Sequence, residues 1–285
     1  DPNVKLPILT SCCPAWVKFF EHHFPELKDI PSTARSPQQM FGSIAKTYFA
    51  DKINVKRENL VVVSIMPCLA KKYESSRPEF SVNGNPDVDF ALSTRELAHL
   101  INLGNIDFNS LPNEEFDQPL GESTGAAVIF GTTGGVIEAA VRTAYEVFTG
   151  KPLPRVDFEE LRGMDGLRKA TIDFNGTPIN IGIAHGLGNA RKLLEDFQAG
   201  NCYFHAIEFM SCAGVCIGGC GQPYHHGDGE ILKKRQRAIY SEDKNKAIRK
   251  SHENPYITKL YEEFLGAPMS EKAHHLLHTK YFDRS

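Results

Sequence analysis

Residues 208–223, which read EFMSCAGVCIGGCGQP, join an apolar strand pattern to a glycine-rich loop that carries three cysteines. The apolar run over 203–209 predicts a strand that ends where this loop begins. Cys212 and Cys216 lie four residues apart, and the small residues over 214–221 let backbone N–H groups come close to a bound inorganic group. The segment therefore predicts a metal site at the end of a strand.

Two more cysteines follow predicted strands in the same way. Cys13 comes after a strand predicted at 6–9, and Cys68 comes after the β-branched run 61–65, which we expect to be a buried strand. In open α/β sheets, ligands lie just outside the carboxyl ends of strands, so these cysteines are expected to share one site with Cys212 and Cys216. Four thiolates suit a four-iron cubane or tetrahedral zinc. Zinc sites usually show two close pairs, whereas this chain has one pair and two single cysteines.

Short apolar runs alternate with longer amphipathic stretches, which is typical of an α/β protein. We expect two lobes, each with a small, mostly parallel sheet flanked by helices. The N-terminal lobe covers 1–115 and the C-terminal lobe covers 116–285, with the cysteine-rich loop 208–223 and a helical tail. Further helices are predicted over 15–23 and 136–148, from Pro37 with Ser36 as N-cap, and from Arg95 with Thr94 as N-cap. Further strands are predicted over 88–92, 126–130, 171–174 and 179–184. The last two strands are joined by a turn at Asn175-Gly176.

The composition excludes several classes of protein. The chain has 285 residues, 41% hydrophobic and 24% charged, and a formal net charge of −3, whereas a nucleic-acid binder usually shows a strong basic excess. No apolar run approaches the roughly 20 residues that span a bilayer. Residues 1–5 lack the basic and apolar regions of a signal peptide. Seven cysteines, an odd count, also fit a secreted disulfide scaffold poorly. We therefore expect a cytoplasmic protein without a membrane span.

Three long motifs resemble the signature motifs of FeFe-hydrogenases. They are TSCCPAW at 10–16, MPCLAKKYE at 66–74 and the 208–223 loop, in the family's order and at similar separations. The resemblance covers essentially the whole chain, because Ser36-Pro37-Gln38-Gln39, Phe130-Gly131 and Ala184-His185-Gly186 also match the family pattern. It implies an oxidoreductase that reversibly reduces protons to molecular hydrogen with electrons from a low-potential donor, at an active site between the lobes.

The resemblance also implies the H-cluster, a four-iron cubane joined through one cysteine to a two-iron unit with carbonyl and cyanide ligands. The residues that match the family's cubane ligands are Cys13, Cys68, Cys212 and Cys216, with Cys216 as the bridging thiolate. Lys71 would hydrogen-bond a cyanide, which suits a compact cation beside an anionic ligand. The residues expected to line the cofactor pocket are Met66, Pro67, Gln38, Met210, Ser36 and Phe130. For the methionines, plain core packing is an equally good interpretation.

Cys12 is expected to carry protons. Adjacent cysteines point in different directions, so only one of Cys12 and Cys13 reaches a given cubane, and the other remains a thiol beside it. A thiol with an ordinary pKa of about 8.5 accepts and releases a proton at modest cost. The resemblance assigns this relay to Cys12 and its next step to Ser32. It further implies a ferredoxin or an electron-transfer subunit as redox partner, and maturation proteins that install the cofactor.

Two departures from the family pattern keep other functions open. Val215 and Cys220 stand where the family has glycine. If the family glycine at position 215 needs a positive φ, the β-branched Val215 is strained there by about 1–3 kcal/mol. Cys220 could be a spectator, an alternative ligand, or a thiol that protects or poisons the cluster. The chain also begins shortly before Cys12, so we expect the N-terminal part of the domain to be missing. A non-catalytic hydrogenase-like iron–sulfur protein in cluster assembly or in redox or hydrogen sensing is the alternative, and a zinc-stabilised binding module is a third.

Other features have simpler structural interpretations. Segment 131–135 is glycine-rich but lacks the Lys-Ser/Thr of a phosphate-binding loop, so we expect a plain turn. Cys202 is expected to be buried at the start of a strand. Solvated side chains, and no metal ligands, are expected at His22, His23, His225, His226, His274 and His275.

Overall fold

The computed structural model describes residues 5–285, so most of the segment that lacks signal-peptide character lies outside the described residues. The strands are β1 (Ile8–Leu9), β2 (Val63–Met66), β3 (Ser81–Val82), β4 (Asn85–Pro86), β5 (Phe90–Ser93), β6 (Leu167–Phe174), β7 (Thr177–His185) and β8 (Ala206–Met210). The α-helices are α1 (Pro14–His23), α2 (Pro37–Ile44), α3 (Ala50–Lys52), α4 (Ala70–Ser75), α5 (Thr94–Leu103), α6 (Gly125–Val128), α7 (Gly135–Thr149), α8 (Leu187–Gln198), α9 (Gly229–Asn245), α10 (Pro255–Leu260) and α11 (Glu271–Leu277). Over this range, no helix is both long and apolar enough to cross a bilayer.

The larger sheet has four strands in the order β1-β8-β7-β6. β8 runs parallel to both β1 and β7, and β7 pairs antiparallel with β6. The predicted hairpin turn is confirmed, because Asn175 (φ 54°) and Gly176 (φ 94°) both adopt the left-handed backbone that a tight hairpin needs. Small, mostly parallel sheets flanked by helices confirm the predicted α/β class. Since β1 comes from the N-terminal end of the chain, this sheet joins that end to strands between residues 167 and 210, and the division at 115/116 stays a prediction.

The core lies on both faces of this sheet. On one face, α1 and α8 pack against it, and the buried indole of Trp16 stacks on Phe209 of β8 with ring centroids 4.2 Å apart. On the other face, α7 packs against the β6–β7 hairpin through Ile137, Val141 and Tyr145. Strand β8 is thus covered on both sides, which fixes the position of the loop that follows it.

The second parallel pair, β2 with β5, corrects one prediction. The run 61–65 was expected to be a buried strand, but β2 begins at Val63, and Val61, Val63 and Ile65 are 61%, 49% and 48% exposed. Helix α5 beside it has no buried residue. The β-branched pattern correctly indicated a strand, but a two-stranded sheet with no element over this face in the described part of the chain leaves its apolar side chains in solvent.

Three local predictions were also wrong. Residues 126–130 are not a strand: Thr124 caps helix α6 by accepting a hydrogen bond from the Ala127 N–H, and a 3-10 turn follows. The helical turn places Ala126 and Ile129, three residues apart, in one buried cluster with Ala139. Close packing against α9 also requires glycine at the start of α6, because a Cβ at Gly125 would lie 1.9 Å from the Asp243 carboxylate. Helix α5 is capped by Ser93 rather than Thr94, in a reciprocal pair with Glu96. Strand β8 starts three residues later than 203, at Ala206, which leaves Cys202 half-buried in a loop.

A buried ion network ties the C-terminal tail to α7. Arg142 is fully buried and donates to Glu138 (2.9 Å) and, through two nitrogens, to Asp243 of α9 (2.8 Å each). Arg249 also pairs with Asp243. Burial raises the pKa of Asp243, but hydrogen bonds from Arg142 and Arg249 outweigh it and hold the pKa below its ordinary value. The carboxylate therefore stays charged as the counter-ion of two arginines.

We expect Asp243→Ala to lower the free energy of unfolding by about 3–5 kcal/mol, because it leaves the buried Arg142 charge without its main partner. Chemical denaturation followed by circular dichroism measures the loss. Lys233→Ala, on the same helix but in an exposed ion pair, is the control and should leave the midpoint unchanged. Equal midpoints for the two variants would contradict this account of the network.

Candidate functional site

Strands β1 and β8 place two cysteine loops at one edge of the larger sheet. The two strands pair directly, with Leu9 opposite Ile207. Thr10 fastens the two strand ends together, because its N–H donates to the Ile207 carbonyl (3.0 Å) and its hydroxyl accepts from the Phe209 N–H (3.0 Å). Cys13 then caps α1, and its Sγ lies 3.5 Å from the Ser211 Oγ. The predicted convergence of Cys13 with the 208–223 loop is therefore present.

Glycines let the same loop lie directly on the Cys68 segment. The Gly221 N–H donates to the Pro67 carbonyl (3.0 Å). A Cβ at Gly219 would lie 2.3 Å from that oxygen, and one at Gly221 would lie 2.9 Å from the Cys68 nitrogen. Only residues without a side chain permit this approach, which brings the end of β2 to the ends of β1 and β8.

The electrostatics indicate that the four predicted ligand thiols face a common space. Burial first, and then electrostatic interaction with the neighbouring Cys13 side chain, raise the pKa of Cys68 and raise the pKa of Cys216 to about 12. Burial and Cys13, followed by Cys220 and Cys68, raise the pKa of Cys212 to about 12. Thiols with such pKa values are protonated at neutral pH, so a bound metal would have to displace their protons.

The spacing of these sulfurs distinguishes between metals. Over residues 5–285, no three cysteine sulfurs all lie within 4.8 Å of one another. A tetrahedral zinc ion with Zn–S bonds of about 2.3 Å would hold its sulfurs about 3.8 Å apart. A cubane binds each thiolate to a different iron and needs a wider arrangement. The cysteines in the described part of the chain therefore form no preorganised zinc site.

An apolar wall borders the cysteines. Val136, Met210 and Val215 form a buried cluster, against which Phe130 and the cysteines Cys12, Cys13 and Cys216 pack. Met210 and Phe130 are thus beside the cysteines, as expected. Met66 ends β2 immediately before Pro67 and Cys68, and it is half-buried outside that cluster.

Lys71 lies on the polar side of the site. It is 8% exposed, and its Nζ donates to the Cys12 carbonyl (3.1 Å) and to Glu74 Oε2 (2.9 Å). Burial lowers its pKa, but the Glu74 carboxylate outweighs this effect, so the pKa lies above its ordinary value. A buried, charged ammonium therefore sits directly beside Cys12.

Glu74 organises two of the predicted pocket residues. Its Oε2 accepts from the Ser36 hydroxyl (2.8 Å) and from Gln38 Nε2 (3.0 Å) as well as from Lys71. Gln38 Oε1 accepts from Ser64 (2.7 Å), and Ser36 caps α2 as predicted. Ser36 and Gln38 are therefore engaged in holding Glu74. Sequence reasoning missed Glu74, although it lies three residues after Lys71 on one helix and so on the same face.

Cys12 and Ser32 differ in their surroundings. Burial, and then the Cys13 thiol, raise the pKa of Cys12 well above its ordinary value, so Cys12 is a thiol at neutral pH. The Ser32 hydroxyl accepts from the Ala34 N–H (3.3 Å), and the Ser32 carbonyl accepts from the Tyr281 hydroxyl (2.5 Å). Within the described chain, no hydrogen bond joins Ser32 to Cys12. Tyr281 comes from the far end of the chain, and no local signal could have identified it.

Glu208 fixes the turn that carries part of the wall. It is fully buried, and its two oxygens accept from the N–H groups of Gly134 (2.7 Å) and Ile137 (3.0 Å). Burial raises its pKa. Within segment 131–135, the Gly134 N–H is thus directed at a carboxylate, and the N–H groups of Thr132 and Gly135 donate to backbone carbonyls, which agrees with the plain turn expected there.

The remaining predicted features have these positions. Val215 has φ 64°, so the expected strain is present, and Cys220 is exposed. His22, His23, His226, His274 and His275 are exposed, and His225 is half-buried. None of these six belongs to the one described cluster of possible metal ligands, formed by Glu146, His252 and Glu253.

Thiol labelling tests the burial of Cys12. In the apo-protein at pH 8, we expect iodoacetamide to modify the exposed Cys220 first and Cys12 slowly, because the thiolate is the reactive form and the pKa of Cys12 is raised. Raising the pH further should accelerate the labelling of Cys12. Peptide mass mapping gives both rates, and Cys220→Ser should remove the early product. Rapid labelling of Cys12 at pH 8 would contradict its buried, protonated state.

Comparison with known proteins gives consistent matches. A family model described as iron-only hydrogenase large subunit, C-terminal domain, matches residues 1–220, and one described as iron hydrogenase small subunit matches 229–284. The NADP-reducing hydrogenase subunit HndD of Solidesulfovibrio fructosivorans is 68% identical over 100% of this chain and 48% of its own length. A structure of the FeFe-hydrogenase HydA1 from Chlamydomonas reinhardtii superposes with a TM-score of 0.85 at 39% identity, covering 99% of this chain and 77% of that one.

A different class of protein is also related. The cytosolic iron–sulfur assembly component 3 of Bos taurus is 32% identical over 99% of this chain and 60% of its own length. The chain spans about half the length of HndD, its 68%-identical relative (48%). The family assignment rests on both the match over residues 1–220 and the shared fold: the chain belongs to the iron-only hydrogenase family.

Proposed function

We propose that this chain is the catalytic part of an FeFe-hydrogenase, which reversibly reduces protons to hydrogen with electrons from a low-potential donor. The observation that carries the proposal is the convergence of three strand ends on one set of thiols, with a fifth, protonated thiol at Cys12 beside them. Membership of the iron-only hydrogenase family supports the same conclusion.

Cys13, Cys68, Cys212 and Cys216 would hold the cubane, and Cys216 would link it to the two-iron unit. The H-cluster, when bound, would relay electrons between the external donor and the iron at which hydrogen is formed or split. The hydrogen bond from Cys13 to Ser211 and the contact of Gly221 with Pro67, which bring the three cysteine segments together, support this assignment.

The protein would supply charge and a dry environment. Lys71 keeps its proton because Glu74 neutralises it, so its ammonium can donate to an anionic ligand next to Cys12. Met66, Pro67, Met210 and Phe130 would exclude water from the same space. Ser36 and Gln38 would act indirectly, by holding Glu74 in place.

Cys12 would hold the proton that enters or leaves the site, at its Sγ. Its raised pKa makes the neutral thiol the resting form, so it can donate a proton without first acquiring one. Ser32, whose carbonyl is fixed by Tyr281, is the next proposed position on the route.

We propose electron transfer from a ferredoxin or from an electron-transfer subunit, assembly by maturation proteins, and a cytoplasmic location. Similarity to HndD, which is named as a subunit of a hydrogenase, supports an electron-transfer subunit as the donor. The alternative, a non-catalytic iron–sulfur protein in cluster assembly or in redox or hydrogen sensing, is favoured by the relationship to the assembly component and by the strained Val215.

Iron loading tests the ligands. After anaerobic reconstitution, we expect about four irons per chain and a cubane spectrum. Separate serine substitutions at Cys13, Cys68, Cys212 and Cys216 should each lower the bound iron, whereas Cys202→Ser, which removes a thiol outside the site, should retain the parent value. Iron content and electron paramagnetic resonance of the reduced protein measure the outcome. A colourless zinc protein, or Cys68→Ser with the parent's spectrum, would contradict the assignment.

Hydrogen evolution tests the role of Cys12. In the fully matured chain with reduced viologen as donor, Cys12→Ser should reduce the rate by about 100-fold or more, because a serine hydroxyl is a much weaker acid than a thiol. Cys220→Ser, which removes the exposed thiol of the 208–223 loop, is the matched control and should keep most of the activity. A matured parent with a cubane but no turnover would favour the non-catalytic alternative.

A further inference from the structure

Val215 has a backbone conformation that its residue type disfavours. The other non-glycine residues with positive φ in the described chain are four asparagines and one histidine, types that tolerate this region: Asn54, Asn83, Asn105, Asn175 and His226. Val215, at φ 64°, is β-branched and follows Gly214 at φ 71°. Such an outlier persists only where the surrounding structure overdetermines it, and outliers of this kind cluster at functional sites.

Two sets of contacts hold Val215 in this conformation. Its N–H donates to the Cys212 carbonyl (3.0 Å), which closes the turn between the two cysteines of the loop. Its side chain is 2% exposed and packs with Val136 and Met210 in the wall against which Cys216 lies. The strained backbone thus directs an isopropyl group into the wall of the thiol site, where glycine would leave a gap.

We propose that Val215 is an apolar cover that keeps water away from the Cys212–Cys216 loop, and that the chain retains its strained backbone for this purpose. The inference rests on the proposed function, because the group protected would be the cubane. Apolar side chains around a metal centre control solvent access, and solvent access in turn affects the reduction potential. Val215 would therefore be a positioning residue that acts through the environment of the thiolates.

Two substitutions separate the cover from the strain. Val215→Ala removes most of the side chain but keeps a Cβ at positive φ, whereas Val215→Gly removes both the side chain and the strain. In the apo-protein, the glycine variant should therefore unfold at a higher temperature than the alanine variant. Val141→Ala is the matched control, because Val141 is also buried (4% exposed) but belongs to the core between α7 and the hairpin.

The direct test uses protein that carries the cubane alone. We expect an anaerobic ferrous chelator to bleach Val215→Ala and Val215→Gly several-fold faster than the parent and Val141→Ala. The midpoint potential of the cubane should also become less negative in both Val215 variants, because water stabilises the more negatively charged reduced cluster. Bleaching rates and potentials equal to those of the parent would overturn the proposal.

Failure of the proposed function would look different. If the parent itself takes up no cubane, the proposed hydrogenase function fails. The shielding of the loop by Val215 is then tested in the apo-protein. Alkylation of Cys216 should then still be several-fold faster in both Val215 variants than in the parent. An unchanged rate of Cys216 alkylation would overturn the inference independently of any cluster.

Discussion

The parallel pairing of β1 with β8 is the constraint on which the site depends. The two strands are almost 200 residues apart in the sequence, and Thr10 fixes their register at the point where each strand gives way to a cysteine loop. Stacking of Trp16 on Phe209 then locks α1, which begins immediately after Cys13, onto the same strand. With this pairing in place, Cys13 and Cys212 share one sheet edge, and glycine contacts with Pro67 bring in Cys68.

Charge and apolar packing are divided between two sides of the thiol site. On one side, Lys71 and Glu74 form a buried pair in which the carboxylate keeps the ammonium charged. On the other side, the wall of Val136, Met210 and Val215 is held by Glu208, whose carboxylate binds the start of α7 to β8. Cys12 lies between them: its carbonyl accepts from Lys71, its side chain packs against the wall, and burial raises the pKa of its thiol so that it remains neutral.

The sequence was most informative where chemistry and local pattern coincide. The convergence of Cys13 with the 208–223 loop, the Ser36 cap and the Asn175-Gly176 hairpin all followed from local signals. Tertiary packing decided the failures. The 126–130 run is helical and buries Ala126 and Ile129 on one side, and the apolar side chains of β2 are exposed because no described element covers that face of its sheet. Tyr281 reaches Ser32 across most of the chain, a contact that no local pattern encodes.

Infrared spectroscopy of the matured chain tests the central claim most directly, because carbonyl and cyanide ligands absorb where no protein group does. The account predicts stretching bands of both ligands in the parent, and a shift of the cyanide bands in Lys71→Gln, since Lys71 is the buried cation beside Cys12. A parent that contains iron and a cubane spectrum but shows no such bands would contradict the claim that this site forms hydrogen.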